Sequence, residues 1–378
     1  MKNGGGKRRR GGGERVRYAV IGQGYFAQAA ILPAFRQADG CELHAIFSED
    51  ETKLRSLKRR YGVAAALGYD QYDEYLGSGE VDAVYVALPN DMHAEYTVRA
   101  ARAGVHVLCE KPIAVNVDEA ERMVRTCREN RVKLMVGYRL HFEGATLEAI
   151  DSVRRGEIGR ARYLSSSFAM QVQSDNIRTQ RARGGGPVLD LGIYCVNAAR
   201  ALFRAEPIAV AAFSASRPDA RFREVDEQVS AVLRFPDERL AQFTCSFGAY
   251  DHSSLMVIGE KGRLRLDPAY EVASDLTVEI EVNGRKPRRK RFHKRDQIAA
   301  ELIAFAECIR GNREPEPSGE EGLADMRVLD ALQRAIESGR TEPIEAEPRR
   351  RRPSKAQEIR RRPHGMPSLV NAEPPGRD

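Results

Sequence analysis

The feature that most constrains this chain is short. An apolar run, Val16 to Ile21, passes directly into Gly22-Gln23-Gly24-Tyr25-Phe26-Ala27 and on into a helix-like stretch, Ala27 to Ala30. In such a strand–turn–helix unit, Gly22 allows the tight turn and Gly24 lets the backbone approach a pyrophosphate. Small Ala27 lets helix and strand pack closely, and the helix N-terminus with Tyr25 and Phe26 faces the negative charge. Alone, a G-x-G-x-x-A hexapeptide is more often a plain turn. Its placement gives it weight, because four further strand-like runs follow: Leu43 to Ser48, Val81 to Leu88, Val105 to Cys109 and Lys133 to Gly137. Amphipathic stretches separate them, among them Asp91 to Gly104 and Asp118 to Asn130, each opened by an Asp suited to an N-cap. This alternation predicts an α/β Rossmann domain over residues 15–137, a doubly wound parallel sheet that binds NAD(P).

Beyond Tyr138 the pattern changes. A helix over Glu143 to Arg155 precedes seven strand-like runs, and turn signals such as Phe235-Pro236-Asp237 and Asn283-Gly284 imply hairpins. Two helices, Gln297 to Arg310 and Gly319 to Ser338, close this region. The expectation for residues 138–342 is an α+β domain with a large, mainly antiparallel open sheet. Residues 1–14 are a Gly/Arg leader and residues 343–378 a Pro/Arg trailer, and neither composition has much to bury, so both read as disordered tails whose removal leaves function intact.

The net charge of +7 resides in those ends, which together carry +8, so the stretch between them sums to −1. A basic surface for specific nucleic-acid binding is therefore not a property of the body. No apolar run approaches the length of a membrane span. Six scattered cysteines without a C-x-x-C pair fit reduced thiols in a cytoplasmic protein, with no metal site.

Several residues lie where chemistry belongs in such a fold, at the carboxyl ends of the strands. An acid after the second strand would accept from the ribose 2′-hydroxyl of NAD. Ser48 stands there instead, with Lys53 five residues on, which favours the 2′-phosphate of NADP, with NAD as the alternative. Glu49, Asp50 and Glu51 oppose that choice if they point inward. The run Val81 to Leu88 ends in Leu88-Pro89-Asn90 with His93 following, either a ligand contact or a satisfied buried histidine. Cys109-Glu110-Lys111-Pro112 sets a lysine at another strand end, its direction constrained by the proline. Farther on, Gly184-Gly185-Gly186-Pro187 leads to Asp190 and Tyr194, four positions apart and on one face if a helix starts at Asp190. A carboxylate and a phenol brought to that lysine could bind and deprotonate a hydroxyl. A cap and a core residue explain the same spacing.

Together Gly22-x-Gly24-x-x-Ala27, Asn90-x-x-His93, Glu110-Lys111-Pro112, Gly137-Tyr138-Arg139 and Asp190-Leu191-Gly192-Ile193-Tyr194 resemble the Gfo/Idh/MocA family of oxidoreductases across nearly all of 15–340. The glucose-fructose oxidoreductase branch is similar in further detail, through residues 88–95, the triple glycine and Pro317 to Gly322. The resemblance implies catalytic Lys111, Asp190 and Tyr194. Cofactor contacts would come from Gly22, Gly24, Tyr25, Phe26, Ala27, Ser48, Lys53, Leu88, Asn90, His93, Glu110, Lys111 and Arg139. It implies hydride transfer to or from a sugar or polyol, with a homodimer or homotetramer formed through the second sheet. Two departures stand out: Tyr25 replaces a lysine common in that branch, and Asn176-Ile177-Arg178 stands in for its Trp-Arg pair. A non-catalytic dinucleotide-binding regulator of the same fold is the competing class, and an intact Lys, Asp and Tyr set speaks against it.

Overall fold

The computed structural model describes residues 15–345, 347 and 351–376; the Gly/Arg leader lies outside the described residues. Two sheets organise the chain. The first has six parallel strands in the order β3-β2-β1-β4-β5-β6. They are β1 (Val16–Ile21), β2 (Cys41–Phe47), β3 (Ala65–Leu67), β4 (Ala83–Val86), β5 (His106–Glu110) and β6 (Leu134–Gly137). β3 was not foreseen, since three small or apolar residues carry no period. Helices cover both faces, as a parallel sheet requires.

Two helix starts differ from expectation. Helix His93–Arg102 follows a 3-10 turn, Asn90–Met92, and Asp91 pairs with Arg183 instead of capping. Helix Val117–Glu129 is capped by Asn116, whose side chain accepts from the Glu119 amide. Both corrections reflect long-range or better-placed partners that spacing does not reveal.

The second sheet has nine strands in the order β14-β13-β12-β11-β7-β10-β9-β8-β15. Its members are β7 (Ala161–Ala169), β8 (Ala209–Ala215), β9 (Gln228–Phe235), β10 (Arg239–Ser246), β11 (His252–Gly259), β12 (Gly262–Leu266), β13 (Leu276–Val282), β14 (Arg288–Phe292) and β15 (Glu342–Pro343). All pairings are antiparallel except β7 with β10. In β9 burial alternates along all eight residues, so one face meets the core and the other is open.

The layers do not follow the chain order of the domains. Helix Gln297–Arg310, expected to close the second domain, packs on the first sheet, where Tyr18 donates to the Leu302 carbonyl at 3.0 Å and Phe305 joins Tyr18, Val20 and Ile46 in one core. The Rossmann layer thus borrows a helix from far downstream.

The trailer is not a loose tail over residues 351–376. Arg352 is nearly buried on Glu206, Lys355 pairs with Glu148 at 3.3 Å, and Arg361 pairs with Asp39 at 3.0 Å. Ile359 packs against the core under the first sheet. The expectation of disorder fails because this segment docks through ion pairs and hydrogen bonds to the body's carboxylates, which composition does not register.

Candidate active site

A cleft of about 520 Å³ runs along the carboxyl ends of β1, β2, β4, β5 and β6 and faces the second domain. One wall is built largely from backbone. Gly22 has φ +92°, and a Cβ there would meet the Ala87 carbonyl oxygen at 2.4 Å, so only glycine fits. At Gly24 a Cβ would meet nothing within 4 Å, leaving open space over the loop. The first helical turn, with Tyr25, Phe26 and buried Ala27, lines the same space, so the residues fit the pyrophosphate of a dinucleotide. Gln23 pins the loop from below, donating to the carbonyls of Val20 and Phe47.

The end of β2 supplies the next part. Ser48 is buried and its hydroxyl accepts from the Asp50 amide at 3.1 Å. Asp50 caps helix Glu51–Tyr61 through the amides of Thr52 and Lys53, so its carboxylate is engaged with the helix start. Lys53 lines the cleft beside it.

Leu88 and Asn90 line the cleft, and Asn90 donates across to the Gly184 carbonyl at 2.9 Å. His93 does not reach it. Its ring is 0% exposed, with Nδ1 2.8 Å from the Pro112 carbonyl and Nε2 2.8 Å from the Leu88 carbonyl. Burial pushes its pKa down, and a neutral ring donates to one of the two carbonyls. The expected cofactor contact is therefore corrected to a staple between the loops after β4 and β5. Glu110 accepts from the Tyr85 hydroxyl at 2.6 Å, and burial raises its pKa.

The other wall is built from charged side chains. Lys111 Nζ donates to both Asp190 Oδ1 and the Asp190 carbonyl at 2.8 Å, and lies 5.0 Å from the centre of the Tyr194 ring. Burial alone would lower the Lys111 pKa, but the Asp190 carboxylate outweighs it and the net shift is upward. Asp190 shows the converse balance: burial favours the acid, yet Arg178 and Lys111 hold the carboxyl well below the usual range. Arg178 completes the cluster through Nε to Asp190 Oδ2 at 2.7 Å. Sequence reasoning did not place Arg178 in the site, because the triple-glycine turn brings it there. The amide of Gly186 returns to the Arg178 carbonyl at 2.8 Å, and a Cβ on Gly185 would lie 2.4 Å from that oxygen.

Asp190 lies within a π-helical turn, Val188–Gly192, before helix Ile193–Phe203, instead of opening an α-helix as expected. A second π turn, Ala27–Ile31, follows the glycine loop. Such insertions are common at functional sites because they displace side chains from regular helix positions. Tyr194 sits below the cluster, its hydroxyl accepting from Arg139 Nε at 3.2 Å. Arg139 borders the cleft but is only 6% exposed; its Nη1 donates to Gln297 and its Nη2 to the Tyr270 carbonyl. It braces Tyr194 more than it faces a ligand.

A glycine-looped parallel sheet whose carboxyl edge brings a lysine against an aspartate and a tyrosine of a second domain defines a two-domain, dinucleotide-dependent oxidoreductase. Comparison with known proteins narrows this. Residues 16–138 match the oxidoreductase family with an NAD-binding Rossmann fold, and residues 146–265 match the GFO/IDH/MocA C-terminal domain, so the chain belongs to the GFO/IDH/MocA oxidoreductase family. It is 32% identical over 333 residues to a D-xylose 1-dehydrogenase [NADP(+)] of Haloarcula marismortui, covering 86% of this chain and 92% of that one. The crystal structure of an aldose-aldose oxidoreductase from Caulobacter crescentus superposes with TM-score 0.84 at 35% identity, covering 88% of this chain and all of the other. A 3-ketoreductase from Actinomadura kijaniata, solved with NADP and TDP-benzene, gives TM-score 0.78 at 29% identity over 85% of this chain and 98% of its own.

Proposed function

We propose that the protein is an NADP-dependent oxidoreductase acting on a carbinol or carbonyl carbon of a sugar or polyol. The observation that carries this reading is the Lys111–Asp190–Arg178 cluster with Tyr194, set opposite the open glycine loop. The sugar-directed names of the relatives support the substrate class, and the NADP in their names and complexes supports the cofactor. Gly22, Gly24 and the turn through Ala27 would hold the pyrophosphate, with Ser48 and Lys53 at the 2′-phosphate. When bound, the cofactor supplies or accepts the hydride.

The chain's own groups manage the oxygen and its proton. A lysine ammonium has three donors, and Asp190 takes two through its carbonyl and Oδ1, which leaves one for the reacting oxygen. Because the carboxylate keeps Lys111 cationic, this group stabilises developing negative charge there and does not serve as the base. The proton then falls to Tyr194. Arg139 occupies the acceptor side of its hydroxyl, so the O–H is directed elsewhere and can donate to a carbonyl oxygen; in the oxidative direction the same oxygen takes the proton back. Arg178 holds Asp190 and, through it, Lys111.

The open face of the second sheet is the surface for self-association into a homodimer or homotetramer. Tyr163, Val232, Leu240 and Phe213 project from it, Phe213 at 78% exposure. Six free thiols, five of them buried, accord with a cytoplasmic protein. The test is a thermal-shift titration with NADP and NAD followed by turnover with a panel of aldoses and polyols, since a ligand of the native state raises its melting temperature. A larger shift with NADP and turnover with at least one sugar are expected. Binding without turnover on any of them would favour the regulator.

A further inference from the structure

The ordered trailer does more than rest on the body, because its last part touches the nucleotide side of the cleft and then the second domain. Ser368 receives Arg60 from the far end of helix Glu51–Tyr61. Val370 then exchanges two hydrogen bonds with Gln28, donating its amide to Oε1 and accepting from Nε2, both at 2.8 Å. Gln28 is 0% exposed, and its Nε2 also lies 3.0 Å from the Gln23 carbonyl, inside the glycine loop. One residue on, Asn371 donates to Asp50 Oδ2 at 2.8 Å, on the carboxylate that caps the helix carrying Lys53. The segment thus touches the supports of both phosphate-facing elements.

Its far end belongs to the other domain. The Gln173 amide donates to the Pro375 carbonyl at 2.9 Å, its side chain donates to the Gly376 carbonyl at 2.7 Å, and Gly376 forms an antiparallel bridge with Val172. Residues 172 and 173 follow β7, whose Phe168 lines the cleft against Tyr194. From Asn371 to Pro375 there are four peptide steps, which span at most roughly 14 Å. Pro374 and Pro375 further limit the slack of that crossing. Widening the cleft beyond this reach requires one end of the segment to let go.

We propose that residues 366–376 form a strap that ties the two domains together across the mouth of the dinucleotide cleft and slows exchange of the nicotinamide cofactor. The proposal rests on the cofactor reading above. Gln28 and Asp50 are its anchors on the nucleotide side, Val172 and Gln173 on the substrate side, and cofactor release is coupled to detachment of one of them. The upstream pairs at Arg352, Lys355 and Arg361 keep a detached strap nearby, so reclosure is intramolecular and needs no partner.

The experiment measures the release of bound NADPH, followed by its fluorescence after mixing with excess NADP, for three proteins: the full chain, a chain ending at Gly365, and full-length Asn371→Ala. Release from the shortened chain is expected to be at least about tenfold faster, a change carried by the dissociation rate. Asn371→Ala should fall between the two. Equal release rates in all three would overturn the strap while leaving the cofactor assignment standing. If the shortened chain does not fold, Asn371→Ala decides: release no faster than from the full chain overturns the proposal. Failure of the full chain to bind either nicotinamide nucleotide would overturn the cofactor reading and the strap with it.

Discussion

The two walls of the cleft are made of different material. Around the glycine loop the contacts come from backbone: a glycine at φ +92°, an open position at Gly24 and the start of a helix. Where the domains meet they come from ionised side chains, Lys111 at the end of β5 with Asp190 and Arg178 of the second domain, and Tyr194 braced by Arg139. A backbone wall recognises what all dinucleotides share and is damaged only where geometry fails. A side-chain wall sets the chemistry and is damaged by deleting single charged groups. Binding and turnover should therefore separate cleanly under mutation.

The sharpest way to break this division is Lys111→Ala. It should lower kcat by about two to four orders of magnitude, the range for losing a positioned group at the reacting oxygen, while cofactor affinity measured by fluorescence titration stays nearly unchanged. A parallel loss of affinity would merge the walls. The opposite lesion is Gly22→Ala, which places a Cβ 2.4 Å from the Ala87 carbonyl oxygen at a positive φ. Strain of about 1–3 kcal/mol, with the clash added, should weaken cofactor binding by about ten- to a hundredfold and lower the melting temperature. Unchanged binding would deny the loop its role.

Lys53→Ala is a milder change, at the ribose end. Removing one partly solvated cation should weaken NADP by about five- to tenfold and leave NAD nearly unaffected, as judged by paired titrations. Equal effects on both would move Lys53 away from the 2′-phosphate.

The smallest effects concern pH. Lys111 is raised above its ordinary 10.5, so its charge and the stability it contributes are present below that value and lost only as pH rises through the folded pKa. Asp190 is depressed below 3.8, so its contribution is present above that value and lost only as pH falls through the folded pKa. The pair should therefore add no limb to the kcat profile between about pH 5 and 9. A limb that disappears in Asp190→Asn would contradict it. Near the trailer, burial tends to raise the Glu148 pKa, but Arg288, Lys290 and the trailer's Lys355 outweigh this and push it down to about 2. That contribution is present above 4.5 and lost as pH falls toward 2, so amide protection over 351–361, taken relative to the intrinsic exchange rate at each pH, should fall there, and less so in Glu148→Gln.

The same contrast explains what could be read in advance. The glycine loop and β1, β2, β4, β5 and β6 were legible because their signals are local: apolar runs closed by turn residues. Lys111, Asp190 and Tyr194 were visible only as motifs, since Lys111 and Asp190 lie 79 residues apart and in different domains. His93 was misplaced because a histidine near a strand end looks the same whether it faces a ligand or two carbonyls. Arg178 was hidden by a turn whose closure depends on Gly185 and Gly186. β14, Arg288–Phe292, has almost no apolar alternation and is held by pairing with β13. The trailer escaped notice for a related reason, since arginines predict solvent unless the partners Glu206, Glu148 and Asp39 are known.

Together the two walls carry hydride transfer on a sugar. Near-ultraviolet absorbance of reduced nicotinamide tests it directly: NADP and a panel of aldoses and polyols are mixed with the full chain, and with Lys111→Ala beside it. Sugar-dependent reduction of NADP by the full chain is expected, with its near loss in the variant that still binds the nucleotide. Turnover undiminished in Lys111→Ala, or no sugar-dependent signal from a full chain that binds NADP, would contradict it.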